Sequence, residues 1–222
     1  MKHLAFVLLL ISAPAIATPL AAQSAVAARL AGRVPPEVVR AVDQVAAGVA
    51  ARGLPVEPLI QKAIEGGAKG VPPDRVIAAV RALAARLDEA AAALRSAGIT
   101  NANADLVDGA AYALIEGLSA TQVRDLAHVI HPPYDAVTTL RVAATLSALG
   151  VPPEQTVQLV EGVIQAGGTP DDVLDLPSEV EAGMAHGRSA AQAAQGLGRG
   201  HATGAPGGRP LVPPGQAKKH KP

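Results

Sequence analysis

Apolar residues recur at helical spacing along most of this chain, and the longest example lies between residues 74 and 96. The large apolar positions there step alternately by four and three residues: Val76, Val80, Leu83, Leu87, Ala90 and Leu94. Charged residues fall mostly between them: Arg75, Arg81, Arg86, Asp88, Glu89 and Arg95. This spacing predicts one amphipathic helix with an apolar packing stripe. A partner-binding face is the alternative, but such a stripe is more often internal core.

Shorter stretches repeat the helical pattern elsewhere in the chain. Val157, Val160 and Ile164 form one of them, and a second follows residues 137, 140 and 144. No stretch alternates between apolar and polar residues as a half-buried strand would. The hydrophobic pattern therefore predicts an all-α fold.

A recurrent joint separates the helical stretches. It reads glycine, valine, two prolines and an acidic residue at 70–74 and again at 150–154, with near copies at 34–37 and 53–57. Glycine tolerates the left-handed backbone that ends many helices, and proline suits the first turn of the next helix. An acidic residue there meets the positive end of the new helix dipole. Further breaks near residues 98, 117, 132 and 168 join those near 33, 53, 70 and 150, and together they predict about eight helices.

The spacing of the joints indicates a degenerate repeat. Val34 and Val71 are 37 residues apart, and Val71 and Val151 are 80 apart, close to two units of about 40. Two-helix repeats of this size occur in helical solenoids, where each hairpin buries its apolar face against its neighbours. The tetratricopeptide and ankyrin motifs are missing. We therefore expect an irregular helical array, and a solenoid and a compact bundle both stay open.

The composition constrains the core and the helix ends. Tyr112 and Tyr134 are the only aromatic Phe, Tyr or Trp residues after the N-terminal segment, so aliphatic side chains must supply the burial. Alanine contributes little apolar area, and such a core requires helices that approach closely. The pairs Gly66-Gly67 and Gly167-Gly168 each follow an amphipathic stretch and are interpreted as helix ends.

The N-terminus has the pattern of a secretory signal peptide. A short basic start precedes an unbroken apolar run at residues 4–11, and Ala15-Ile16-Ala17 fits a small-x-small cleavage site. We predict a signal peptide at residues 1–17, with cleavage as late as residue 22 left open, and export to the periplasm or the outside of the cell. The chain contains no cysteine, which excludes disulfides, thiol catalysis and a lipid-anchored cysteine. No later segment of the mature chain is long and apolar enough to span a membrane.

The C-terminal stretch differs in composition from the expected helical domain at 18–187. Residues 188–222 contain seven glycines and five prolines in 35 residues, which predicts a disordered tail. They hold no carboxylate and six basic residues: Arg188, Arg199, Arg209, Lys218, Lys219 and Lys221. Residues 99–187, in contrast, set twelve carboxylates against Arg124 and Arg141. The net charge of zero therefore hides strongly unlike blocks.

This tail has two candidate roles besides solubility. Clustered basic residues on a flexible arm attract anionic partners such as a membrane surface or an envelope polymer, and the candidate contacts are Arg199, Arg209, Lys218, Lys219 and Lys221. Alternatively, the tail folds back on the acidic half of its own molecule. Nucleic acid is disfavoured, because export separates the protein from it and no aromatic residue accompanies the basic ones to stack on bases.

One local cluster has the residue types of a metal site. Asp125, His128 and His131 are spaced by three, which predicts that they lie along one face of a helix and within reach of one divalent transition metal. The pattern lacks the glutamate of a His-Glu-x-x-His site, and Pro132 and Pro133 follow at once. A histidine in the last turn also interacts favourably with the helix C-terminus without any metal.

Other catalytic patterns are missing from the sequence. It contains no Gly-x-Ser-x-Gly motif, no Walker loop and no dinucleotide-binding glycine fingerprint, and nothing in it implies a cofactor. The sequence therefore favours a non-enzymatic interaction or scaffold module of the cell envelope, whose oligomeric state it does not define. The alternatives are a metal-binding protein or metal-dependent enzyme centred on His128 and His131, and a binder of anionic envelope components through the tail.

Overall fold

The computed structural model describes residues 19–202, with side chains described for residues 25–200. Within this range it contains ten helices and no strand, which confirms the all-α prediction. They are α1 Pro19–Leu30, α2 Pro36–Ala51, α3 Glu57–Ala68, α4 Pro73–Ser96, α5 Ala104–Ile115, α6 Ala120–Val129, α7 Ala136–Ala148, α8 Pro153–Gln165, α9 Pro170–Ala185 and α10 Ala190–Ala202. The prediction was about eight, and the terminal helices α1 and α10 account for the difference. The predicted signal peptide at 1–17 lies outside the described residues.

The helix joints have the structure that their sequence predicts. Gly70 follows α3 with a φ of 65°, and Pro72 precedes α4 in an extended conformation. Asp74 then lies in the first turn of α4, where its negative charge interacts favourably with the positive end of the helix dipole. Gly150 and the prolines after it form the same joint between α7 and α8, with a φ of 92° at the glycine. Local capping chemistry thus fixes where these helices begin and end.

The helices stack in two layers. Even-numbered helices pack on one another in the order α2, α4, α6, α8 and α10, so this layer is continuous. In the odd-numbered layer α1 packs on α3, and α5, α7 and α9 follow one another, but α3 and α5 do not pack substantially together. Both pack on α4 instead, and the substantial contacts of α1, α2 and α3 with later helices all go through α4. The array is therefore solenoid-like, with one interruption in its odd-numbered layer.

Aliphatic and alanine side chains form the core, as the composition predicts. In α4 the predicted stripe is buried at Val76, Val80, Leu87, Ala90 and Leu94. Leu83, the remaining position of the stripe, is only partly buried. Many alanines are buried, including several in α5 and α7, which are strongly packed against each other. Small side chains at such positions let helix axes approach closely.

One of the two glycine pairs, Gly66-Gly67, has a different role from the one that the sequence predicts. Gly66 and Gly67 do not end α3, which continues to Ala68. A Cβ on Gly67 would lie 2.5 Å from the carbonyl oxygen of Arg33, so this glycine permits a close contact with the loop between α1 and α2. Gly167 does end α8, with a φ of 74°. The interpretation of Gly66-Gly67 as a helix end is therefore wrong.

The helical body extends beyond residue 187, where the sequence predicted a disordered tail. Residues 190–202 form α10, which packs against α8 and α9. Ser189 and Gln192 start this helix with reciprocal hydrogen bonds between side chain and backbone, of 3.0 and 3.2 Å. Ala193 is buried, and its Cβ would lie only 2.6 Å from a Cβ on Gly183. The prediction for residues 190–202 was wrong because the glycine count concealed a capping box, and residues 203–222 lie outside the described range.

Candidate functional site

The predicted metal-binding residues do not share one helical face. Asp125 and His128 lie on α6, but this helix ends at Val129, and Ile130 already has an extended backbone. His131 therefore lies in the loop that follows, where its ring stacks on Tyr134 with 6.2 Å between centroids. Among the residues that the structure describes, no three His, Asp or Glu side chains are grouped as a metal site requires.

Other groups surround Asp125. The guanidinium of Arg124 donates two hydrogen bonds to its Oδ1, of 2.9 and 2.6 Å. Burial, and in addition the negative charge of Asp125, raise the pKa of Glu161 in α8. A cleft of about 310 Å³ beside His128 is lined by these α6 residues and by the end of α4. The arrangement is an exposed ion pair with a nearby acid, and surface pairs of this kind are common without any catalytic role.

A partly apolar surface groove lies at the interruption of the odd-numbered layer. A groove of about 390 Å³ opens there between α3, α4, α5 and α7. We call it the α5 groove, and it is lined by Pro58, Leu83, Asp108, Ala111, Tyr112, Ile115, Arg141 and Thr145. Leu83 belongs to the core stripe of α4 and reaches the groove because α3 and α5 do not close over it.

The outer face of α5 places two large apolar side chains at this groove. Tyr112 is 39% exposed and Ile115 is 50% exposed, although most of the apolar residues of α5 are buried. The two are three residues apart and therefore adjacent on the helix surface. Asp105 and Asp108 continue the same stripe toward the N-terminus of α5 by further steps of three and four. The stripe thus has an acidic half and an apolar half.

An ion pair spans the acidic part of the groove. Arg141 of α7 donates through Nη2 to Asp108 Oδ2 over 3.3 Å. The two side chains are 54% and 37% exposed, so the pair contributes no more than about 1 kcal/mol to stability. Arg141 is one of only two basic residues between residues 99 and 187. The two charged side chains that line the groove therefore offset each other, and Asp105 adds one further carboxylate on the same stripe of α5.

A second cleft, of about 310 Å³, lies between α8 and α10 and is more polar. Three glutamines line it, and the Oε1 atom of one of them, Gln155, is buried without a hydrogen-bond partner. Local sequence explains this atom. In α6 the equivalent Gln122 accepts a hydrogen bond from the backbone N–H of Ser119, at 2.8 Å. The residue at the same place before α8 is Pro152, which has no N–H to donate.

Only one of the predicted anion-binding tail residues is described. Arg199 lies in α10 and lines the cleft against α8, so it belongs to the folded body. Arg209, Lys218, Lys219 and Lys221 lie outside the described residues. Their role in binding an anionic partner stays a prediction.

Sequence reasoning missed the α5 groove, although part of the signal was present. Tyr112 was noted as one of two aromatic residues, and its position three residues before Ile115 and four after Asp108 could have indicated an exposed mixed stripe. The interruption between α3 and α5 has no comparable signature, because it depends on how neighbouring helices are angled.

Comparison with known proteins gives no family for this chain. No family model matches it, and neither the curated proteins nor the solved structures contain a match. None of the described helices combines the length and the apolar character needed to cross a membrane. The geometry of the α5 groove is therefore the basis for a functional conclusion.

Proposed function

We propose that this chain is an exported, non-enzymatic interaction protein that binds a polypeptide partner in the α5 groove. The observation that carries the proposal is the interruption of the odd-numbered layer, which leaves Tyr112 and Ile115 at the surface beside Leu83. A tyrosine with an apolar ring and a polar hydroxyl is suited to a contact that is made and broken in water. Solenoid proteins commonly bind partners along such surfaces.

The contents of the groove favour binding over catalysis. Its charged side chains are Asp108 and Arg141, which are paired with each other. It contains neither a histidine nor a hydroxyl nucleophile with an adjacent base, the combination that acyl transfer would need. The size of the groove suits a few side chains of an extended or helical segment, rather than a whole domain.

The experiment is capture of partners from a native envelope extract by the tagged mature protein. The test variant combines Tyr112→Ala with Ile115→Ala, both at exposed positions where truncation has little effect on folding. The matched control combines Leu174→Ala with Met184→Ala on α9, because these side chains are 48% and 38% exposed but do not line the groove. Thermal unfolding of the unaltered protein, the groove variant and the α9 control serves to check that each of them is folded.

We expect a defined set of polypeptides that the unaltered protein and the α9 control retain and that the groove variant loses. A crosslinkable amino acid placed at Ile115 then identifies which of them contacts the groove directly. If the groove variant captures the same polypeptides as the α9 control, the site of interaction lies elsewhere and the proposal is wrong.

A further inference from the structure

We propose that the α5 groove binds the segment Arg209–Pro214 of a second copy of this chain. The inference rests on the proposed function, since it requires the groove to be a docking site, and it assigns the class of ligand: a polyproline II segment preceded by a basic residue. The segment reads Arg-Pro-Leu-Val-Pro-Pro. Prolines separated by two residues lie on one side of a polyproline II helix, which has three residues per turn.

The two halves of the α5 stripe, acidic and then apolar, match the order of arginine and prolines in this segment. Proline-rich segments dock on surfaces that present aromatic and apolar side chains, and Tyr112 and Ile115 form such a surface. Asp105 and Asp108 lie on the same stripe of α5, so an arginine at one end of the segment meets carboxylates while its prolines meet the apolar half. Asp108 already pairs with Arg141 over a long 3.3 Å contact, which shows that this carboxylate accepts a guanidinium.

The lengths also agree. From Asp105 to Ile115 the stripe rises ten residues along α5, or about 15 Å. Arg209 to Pro214 covers five steps of a polyproline II helix, which is also about 15 Å. The whole segment therefore fits along one helix, with its direction parallel to that of α5.

Chain length favours a second molecule as the source of the segment. The described residues end at Ala202, and seven residue steps lead from there to Arg209. A flexible chain of that length spans roughly 15 Å on average and at most about 25 Å. The path from α10 through α9 and α7 to α5 crosses three helix contacts, or about 24–30 Å. A segment from the same molecule would need an almost fully extended linker, and a second copy has no such requirement.

The distribution of charge along the chain also favours contact between two copies. Beyond the described residues the chain has four basic residues, Arg209, Lys218, Lys219 and Lys221, and no Asp or Glu among them. The helices from α5 to α9 carry the excess of acidic residues. Opposite charges on two parts of one chain attract different copies, which can exchange their segments in a closed dimer or ring or continue head to tail as an open chain. In each case the chain would form assemblies whose population rises with protein concentration.

The test uses nuclear magnetic resonance of the full mature chain. Tyr112 and Tyr134 are the only aromatic residues of the Phe, Tyr and Trp types in that chain, so two tyrosine ring signals report directly on the groove and on the buried core. We expect the Tyr112 signal to shift as the protein is concentrated from about 10 μM to 1 mM, while the Tyr134 signal stays constant. The Tyr112 shift should shrink at high salt.

Variants of the full chain establish the occupant. Arg209→Glu combined with Pro210→Ala and Pro213→Ala should abolish the concentration-dependent shift of Tyr112. Pro206→Ala is the matched control, because it removes a proline outside the segment. A synthetic peptide of residues 209–214, added to the triple variant, should restore the shift, and a peptide with Arg209→Glu should restore it at least several-fold less well.

Three results would overturn the inference. A Tyr112 signal that does not respond to the peptide removes the segment as the ligand, and a response that survives Ile115→Ala unchanged removes the groove as its site. A shift that depends on the segment but not on protein concentration assigns the segment to its own molecule and overturns the assignment to a second copy. Capture of other polypeptides through the groove does not depend on these outcomes, so the proposed function can stand while this inference fails.

Discussion

Gly67 packs against backbone, and that contact determines what a methyl group there would do. The residue lies in the last turn of α3, and a Cβ added to it would be 2.5 Å from the carbonyl oxygen of Arg33 and 2.7 Å from Cγ1 of Val34. The N–H groups of both neighbours are hydrogen-bonded to Leu30, at 3.0 and 3.3 Å, so the loop is held in place. We expect Gly67→Ala to push α3 away from this loop.

The magnitude follows from two opposing effects. Alanine in place of a helical glycine stabilises a helix by up to about 1 kcal/mol. Overpacking a close contact costs about 1–3 kcal/mol, and a backbone partner leaves little room to relax. This places the cost in the upper part of that range, so the net destabilisation is about 1–2 kcal/mol, which for a chain of this size lowers the midpoint of thermal unfolding by roughly 2–8 °C.

Gly162 in α8 provides the matched control, since a Cβ there would meet no atom within 4 Å. Gly162→Ala should stabilise the protein by about 0.5–1 kcal/mol, because only the helix propensity changes. Both variants are compared with the unaltered protein by urea and thermal unfolding, followed by far-ultraviolet circular dichroism. If Gly67→Ala is as stable as the unaltered protein while Gly162→Ala gains stability, the close approach of α3 to the loop is not a constraint and the reasoning is wrong.

Three further substitutions test separate contacts. Tyr134→Phe removes the hydroxyl that donates to the carbonyl of Gly168, and urea unfolding should show a loss of about 1 kcal/mol. Glu57→Gln should make stability less dependent on pH in acid, because hydrogen bonding to Arg29 lowers the pKa of Glu57 to about 2 and its stabilisation is lost as the pH falls from about 4.5 toward 2. The pair is exposed, so the effect stays below about 1 kcal/mol. A pH profile of stability that is the same in the variant would contradict this. Glu161→Gln should raise stability at pH 7 more than at pH 4, because the pKa of this carboxyl is raised and its charged form opposes folding at neutral pH; equal effects at both pH values would refute this.

The helix joints could be predicted from the sequence because their chemistry is local. Glycine at 70 and 150 and the prolines after it determine their own backbone conformations, whatever the rest of the chain does. The helix at 190–202 has an equally local signal, the capping box at Ser189 and Gln192. The prediction of a disordered tail rested instead on the glycine and proline content of residues 188–222 as a whole.

The candidate sites could not be predicted in the same way. The spacing of Asp125, His128 and His131 indicates one helical face only if the helix continues, and α6 ends two residues before His131. The α5 groove depends on a missing contact between α3 and α5. Such a contact is determined by the angles and side-chain volumes of several helices together, which spacing along the sequence does not specify.

The dependence of the first three helices on α4 also has a mechanical consequence. Tension applied between the two ends of this array would pass through one helix, because the substantial packing between α1–α3 and α5–α10 goes through α4. The buried stripe of α4, which includes Val76, Val80 and Leu94, is part of the packing that would bear that load. Elsewhere two parallel layers share it. The contacts of α4 with its neighbours on either side are therefore the packing through which a pulling force passes from α1–α3 to the later helices.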